Sequence, residues 1–294
     1  MKKIYLAGSG GMLGEAFYSI MRDNFELKCT DIDLNESWLE FLDFRDYRAY
    51  RDDVTRFKPD YLFHLGAFTD LEYCERNPDE TYVTNTLSVE NAVHIANELN
   101  IPILYISTAG IFDGKQDSYD DWDQPNPLGV YARSKYLAER FVVENARRYL
   151  VCRAGWMMGS GPKKDKKFIN KIMKQINEGK TELFIVDDKD GTPTYTRDFV
   201  NTVLALLENE FWGLYNTVCS GQTSRLEVAQ ELIQILNLSD EIKITPVNSD
   251  YFKDQFFAER PASERLITKK LDLRGVNKMR DWKTALKEYI DVYF

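Results

Sequence analysis

Of the seventeen tyrosines in the chain, one alone has a lysine four residues downstream: Tyr131 and Lys135, in "YARSK". The pair follows a proline-rich loop, "DQPNPLG", and opens a helical pattern, so both side chains fall on one helix face. A phenol with a pKa near 10 is a poor acid–base group at neutral pH. A neighbouring ammonium favours the phenolate and lowers that pKa. Tyr131 could then give a proton to a carbonyl oxygen as hydride reaches its carbon, or take one in reverse. A third group belongs with the pair. "LYISTAGIFDG" reads as a strand ending in Ser107 and Thr108, which places hydroxyls at the carboxyl edge of a sheet. There Thr108 could hydrogen-bond a substrate carbonyl and orient it toward Tyr131. Without that third group, Tyr131 and Lys135 would read as an exposed helical pair.

Such chemistry needs a hydride source, and the start of the chain offers a place for one. "YLAGSGGMLGEAF" puts Gly8, Gly10, Gly11 and Gly14 directly after the apolar run Ile4 to Ala7. Glycines at this spacing let the chain turn sharply from strand to helix, admit a pyrophosphate against the backbone and pack the helix on the sheet. The helix N-terminus adds unpaired N–H groups and a positive dipole end. The next strand candidate, "ELKCTD", ends in Asp31, close to the spacing of a carboxylate that binds the adenine ribose. The expected cofactor is therefore NAD or NADP. Asp31 favours NAD, because its charge would repel a 2′-phosphate. The structural alternative is a glycine-rich turn, with Asp31 and Asp33 as polar loop residues.

These residues must be positioned by a sheet. Up to about residue 155 the sequence alternates β-rich runs ("KIYLAG", "ELKCTD", "YLFHLGA", "ILYIST", "LVCRAG") with helical patterns, the clearest spanning 79–99 and 129–148. Near-continuous apolar strands separated by helices indicate a parallel sheet covered on both faces. The fold class is α/β: a Rossmann-type doubly wound parallel sheet whose ligands bind beyond the strand carboxyl ends. After Gly155 the rhythm loosens. We expect a nucleotide-binding domain at 1–155, with a returning segment near 191–218. A smaller α/β substrate-binding part follows, made of 156–190 and 219–294.

Composition excludes other functions. A net charge of −9 argues against nucleic-acid binding, which needs a basic face. The densest basic cluster, "KKDKK" (Lys163 to Lys167), reads as a solvated helix start, with a pyrophosphate contact as the alternative. Two histidines, His64 and His94, leave no His-rich metal site, so no metal is expected. His64 lies within an apolar run and reads as a core residue. No apolar run reaches the roughly 18 residues that cross a bilayer, and no secretory leader is read at the start. The four cysteines (Cys29, Cys74, Cys152, Cys219) are widely spaced. Reduced thiols and a cytoplasmic location are expected.

Together the glycine loop, "HLGAF", "ST..IFDG" and YxxxK resemble an extended short-chain dehydrogenase/reductase. "RAGWMMG", "DDKDGTPTYTRDF", "GLYNTVCSGQTSRLEVAQEL", "RPASERLITKKL" and "DWKTALKEYI", in that order, resemble the dTDP-4-dehydrorhamnose reductase family along the whole chain. The resemblance implies NAD(P)H-dependent reduction of the C4 ketone of a dTDP-linked 6-deoxysugar, with a nucleotide sugar as substrate. By position it implies Thr108, Tyr131 and Lys135 as the catalytic trio. Gly8, Gly11, Met12, Leu13 and Gly14 match the pyrophosphate loop, with Asp31 at the ribose. Leu65, Gly66, Ala67 and Phe68 match the strand end lining the cofactor. Thr69, Leu71 and Trp156 fall at the sugar, and Arg260, Pro261 and Ser263 in the segment over the nucleotide. Trp156 as a core aromatic and Arg260 as a surface ion pair are the plain structural alternatives.

The family pattern commonly reads Ser-Thr-Asp-Tyr-Val-Phe-Asp-Gly, whereas Ala109 and Gly110 here replace the Asp-Tyr. Asp70 and Glu72 also depart from it. A nucleotide-sugar epimerase or dehydratase is the enzymatic alternative. A binding role like that of the regulatory β subunit of methionine adenosyltransferase is the other. The helices at 79–99 and 129–148 could form a four-helix homodimer interface of the kind common in the superfamily, or use their apolar faces internally.

Overall fold

A computed structural model describes residues 1–294. Strands form at the β-rich runs, β1 (Lys3–Ala7), β2 (Glu26–Asp31), β4 (Tyr61–His64), β5 (Ile103–Thr108) and β6 (Tyr149–Ala154), and a short β3 (Leu39–Phe41) adds to them. The chain then makes β7 (Trp156–Met158), β8 (Glu182–Val186), β9 (Asp190–Gly191) and β10 (Pro193–Tyr195) before β11 (Gly213–Asn216) joins the edge of the first sheet. That sheet has seven parallel strands in the order β11-β6-β5-β4-β1-β2-β3. The order reverses direction beside β1, so the β1 and β4 carboxyl ends border the crevice where a doubly wound sheet takes its ligand.

Both faces are covered, and for that reason the strands read as continuous apolar runs. Along β1, Ile4 and Leu6 enter one core cluster while Tyr5 and Ala7 enter the other. The first cluster gathers Phe17 of the helix Met12–Met21 and Phe199 and Val203 of the helix Thr196–Glu208. The second gathers Tyr50 and Val54 of Tyr47–Phe57, Val93 of Ser88–Leu99 and Val142 of Val130–Asn145.

The rest of the chain adds three small sheets: β7 with β10, β8 with β13 (Lys243–Val247), and β9 between β12 (Thr223–Ser224) and β14 (Ser263–Glu264). Their helices, Phe168–Asn177, Arg225–Ile235 and Trp282–Tyr293, send Ile172, Leu232 and Leu286 into the same cluster as Leu6. One apolar core thus runs beneath both parts of the chain. No helix is long and apolar enough to cross a membrane.

The helical pattern expected at 79–99 departs from regularity. Pro78–Tyr82 and Ser88–Leu99 are α-helical, but Val83–Leu87 forms a π-helical turn between them. A wider turn shifts the facing of the residues it contains, and Asn85 gains contacts that helical periodicity does not foretell. The expected helix at 129–148 is Val130–Asn145, cut short because Tyr149 already starts β6.

The loop glycines serve different ends. A Cβ on Gly14 would lie 2.1 Å from Ser9 O, a backbone atom with no room to retreat. At Gly11 a Cβ would meet nothing within 4 Å, and the backbone is extended (φ −89°). Gly14→Ala is therefore expected to lower the unfolding free energy by roughly 2–4 kcal/mol. Gly11→Ala is expected to leave it within about 0.5 kcal/mol. Urea titration of both variants checks the contrast.

Candidate active site

The turn after β1 is built from backbone bonds. Gly8 and Ser9 N–H both donate to Thr30 O, at 2.8 and 3.0 Å. Gly10 N–H donates to Asp31 Oδ2 at 2.8 Å, and Asp33 N–H donates to Asp31 Oδ1 at 3.0 Å. Asp31 is thereby locked at the end of β2 beside the loop, and a carboxylate has lone pairs left beyond these two bonds. Gly11 caps the helix Met12–Met21 with no side-chain bond to its first N–H groups, and the space over it is clear. Buried Met12 and Leu13 follow in the first turn. An open helix N-terminus of this kind suits a pyrophosphate.

The end of β4 touches this loop. Leu65 and Gly66 N–H both donate to Ala7 O, at 2.9 and 3.2 Å, and a Cβ on Gly66 would lie 3.2 Å from Gly8 Cα. Ala67 and Phe68 continue along the crevice. Asn85 clamps Phe68 from both sides: its Oδ1 accepts from Phe68 N–H at 2.8 Å and its Nδ2 donates to Phe68 O at 3.0 Å.

Asn85 Nδ2 also donates to Ser134 Oγ at 3.1 Å, and Thr86 Oγ1 donates to Ser134 O at 2.8 Å. The π turn is thus tied to the helix carrying Tyr131 and Lys135. The first N–H of that helix, at Val130, donates to Glu75 Oε1 at 2.6 Å. Tyr105 Oη donates to Lys135 O at 3.0 Å.

Lys135 is 4% exposed, and its Nζ stands 4.3 Å over the Tyr105 ring. It makes no salt bridge and no hydrogen bond through Nζ. Burial lowers its pKa to about 7, with Glu139 pulling the other way. Glu139 is itself neutralised by Arg153 at 2.6 Å in a fully buried pair. The Thr108 hydroxyl stands beside Tyr131 and accepts from Gly110 N–H at 3.2 Å. The phenol was expected to be depressed by the ammonium. Instead, burial pushes Tyr131 up to about 12, against the pull of the Thr108 hydroxyl, with Cys74 and Glu264 adding to the rise. Loss of hydration sets the direction, with no opposing pull from Lys135, so the phenol stays neutral at pH 7.

The remaining sequence candidates divide. Thr69 Oγ1 accepts from Lys167 Nζ at 3.0 Å, and Leu71 opens the short helix Leu71–Arg76. Trp156 Nε1–H donates to Glu264 Oε2 at 2.6 Å. Arg260 pairs with Glu72 at 2.7 Å, in a half-buried bridge. Ser263 is buried and its hydroxyl donates to Asp117 O at 2.7 Å, away from Tyr131. His64 is a core residue held between Tyr50 Oη (3.3 Å) and Ser88 Oγ (3.2 Å); burial lowers its pKa to about 3.

In the lysine cluster at 163–167, Lys163, Lys166 and Lys167 are exposed around the start of the helix Phe168–Asn177, as a solvated helix start would be, and of the lysines Lys164 alone is buried. Lys164 is 8% exposed; its Nζ donates to Gly10 O at 2.9 Å and to Asn35 Oδ1. Ser160 Oγ donates to Met12 O at 2.8 Å. This segment thus donates to carbonyls of the glycine loop, beside the Asn35 amide that also donates to Gly10 O at 3.2 Å. Sequence reasoning also passed over Asn85, Glu75, Glu264 and Arg225. Their partners are distant in the chain, and no local pattern marks them.

The charge of Lys135 makes a stability prediction. Its pKa falls from the ordinary 10.5 to about 7, so between those values the unfolded chain holds a proton the folded chain has lost. Stability contributed at this site rises with pH across that window. Lys135→Met should raise the unfolding free energy by about 2 kcal/mol or more at pH 6, and the gain should shrink toward pH 10. Urea denaturation of both proteins across that range measures it.

The whole chain, residues 1–294, matches the model of the RmlD substrate binding domain. A solved dTDP-4-dehydrorhamnose reductase from Yersinia enterocolitica is 30% identical and superposes with a TM-score of 0.89 over 100% of both chains. The spore coat polysaccharide biosynthesis protein SpsK of Bacillus subtilis is 27% identical over 291 residues, covering 99% of this chain and 97% of that one. The methionine adenosyltransferase 2 subunit beta of Danio rerio is 25% identical over 300 residues, covering 98% of this chain and 90% of that one. The chain belongs to the RmlD substrate binding domain family, within the extended short-chain dehydrogenase/reductases.

Proposed function

We propose that this protein is an NAD(P)H-dependent reductase of the C4 ketone of a nucleotide-linked 4-keto-6-deoxysugar, as its similarity to dTDP-4-dehydrorhamnose reductases suggests. One observation carries the reading: a neutral phenol beside the Thr108 hydroxyl lies on the same helix face as a buried, unpartnered ammonium, at the sheet edge that also holds an open helix N-terminus.

The loop residues Gly8, Gly11, Met12, Leu13 and Gly14 hold the dinucleotide's pyrophosphate, and Leu65, Gly66, Ala67 and Phe68 line its nicotinamide half. Asp31 accepts the adenine ribose hydroxyls, and its charge favours NADH over NADPH. When bound, the nicotinamide supplies the hydride. Lys135 donates from its ammonium to the nicotinamide ribose, which gives that buried charge an acceptor. Thr108 donates to the ketone oxygen and orients it. Tyr131 delivers its proton to that oxygen as negative charge develops there, and the Lys135 ammonium steadies the phenolate left behind. The part made of 156–190 and 219–294 holds the nucleotide sugar, with Thr69, Leu71 and Trp156 at the sugar and Arg260 and Ser263 in the segment over the nucleotide. With thymine as the base, the product is dTDP-L-rhamnose. Similarity to a methionine adenosyltransferase β subunit supports a second, binding reading. The complete Thr108–Tyr131–Lys135 set favours turnover over it.

The test is oxidation of NADH or NADPH by the purified protein with dTDP-, GDP- and CDP-linked 4-keto-6-deoxysugars. At least one should be reduced, and Tyr131→Phe should lower kcat by about 100-fold or more. In the free protein Lys135 loses its proton near 7 while Tyr131 keeps its own to about 12. The kcat/KM for reduction should therefore be level in acid and fall through about pH 7, a limb that Lys135→Met lacks. No oxidation with any sugar, together with a co-purifying protein partner, would overturn the reductase reading. Full activity in Tyr131→Phe would overturn the mechanism.

A further inference from the structure

Gly110, two residues beyond Thr108, has no side chain to place at the site. A Cβ there would lie 3.1 Å from Glu264 Oε1 and 3.5 Å from Thr108 Oγ1. A carboxylate from β14 and the hydroxyl that orients the ketone thus border the same methyl-sized space. Glu264 spends one oxygen on the Trp156 indole N–H, at 2.6 Å. Its other oxygen has no hydrogen-bond or ion-pair partner in the structure, although the residue is half-buried. The clamp around it is rigid. A Cβ on Gly191 would sit 2.2 Å from the Trp156 ring, and the Arg225 guanidinium stacks 3.6 Å over that ring.

A fixed carboxylate with one free oxygen beside a ketone site is a hydrogen-bond acceptor in need of a donor. A 4-keto-6-deoxysugar presents one close at hand, the hydroxyl on the carbon next to the carbonyl; the carbon on the other side carries a methyl group and the ring oxygen, neither of which donates. Resting on the reductase reading, we propose that Glu264 is a specificity-determining residue whose free Oε1 accepts the 3-hydroxyl of the substrate sugar. The acceptor comes from the C-terminal part because positions 109 and 110 carry no polar side chain. A charge-assisted bond is strong, and a sugar lacking the hydroxyl leaves the carboxylate unpaired in a closed site.

The experiment measures kcat/KM for a dTDP-4-keto-6-deoxysugar and its 3-deoxy counterpart with wild type, Glu264→Gln and Glu264→Leu. Wild type should prefer the hydroxylated sugar by about 100-fold. Both variants should cut that preference to under about tenfold, chiefly by raising KM for the hydroxylated sugar. Glu264→Gln keeps an acceptor for the Trp156 indole, so its tryptophan fluorescence should match wild type. If Glu264 only props Trp156, Glu264→Gln will retain the full preference while Glu264→Leu loses both sugars alike, and the assignment is overturned. A wild type that turns over both sugars equally overturns it too. Each of these outcomes leaves the reductase reading standing. A wild type that turns over no keto sugar overturns the reductase reading and this assignment with it.

Discussion

An ammonium held out of water without an acceptor governs the carboxyl edge of this sheet. Removing such a charge from solvent costs several kcal/mol. The Tyr105 ring beneath Lys135 and the Glu139 carboxylate one turn on offset part of that cost. A lysine stem is long enough to swing its charge back to water unless the helix under it is fixed. Four attachments fix it: Glu75 at the first N–H, Asn85 and Thr86 at Ser134, and Tyr105 at the Lys135 carbonyl. They come from a short helix, a π turn and a central strand. The order of the strands and the irregular turn before Ser88–Leu99 are thus both bound up with the position of one nitrogen.

The same constraint orders the polar groups around it. Arg153 balances Glu139 within the core, so Lys135 feels a muted carboxylate and its proton is loosely held. His64, on the strand that ends beside Lys135, stays neutral, and so adds no second cation to the edge. Tyr131 keeps its proton for the same reason that Lys135 holds its own weakly: water is scarce there, and each group drifts toward its uncharged form.

Much of this could be seen in the sequence, and what could not has a common cause. Five strands of the central sheet appear as apolar runs because both faces are buried. The i, i+4 placement of Tyr131 and Lys135 is a property of one helix and needs no tertiary knowledge. The short β3 and the helix Tyr47–Phe57 went unread because they bury few side chains; only Tyr50 and Val54 of that helix are buried. The π turn gives no signal in a 3.6-residue pattern. The direction of the Tyr131 shift depends on how much water the fold removes, which no spacing records. Glu264 and Trp156 meet across more than a third of the chain, and Lys164 finds Gly10 from 154 residues away.

That last contact changes how the molecule can be divided. The glycine loop spends its first N–H groups on Thr30 and Asp31, leaves those at the helix start uncapped, and turns Gly10 O and Met12 O toward Lys164 and Ser160. A cut at residue 155, where the alternating pattern ends, would separate the loop from two of its donors. A chimera joining this N-terminal part to a relative's C-terminal part leaves Gly10 O with the Asn35 amide alone, at 3.2 Å, and loses the charged bond from Lys164 unless residues 160–164 travel with residues 8–14. The natural unit of exchange is therefore the loop together with its clamp, two stretches far apart in the gene that recombination would have to move as one.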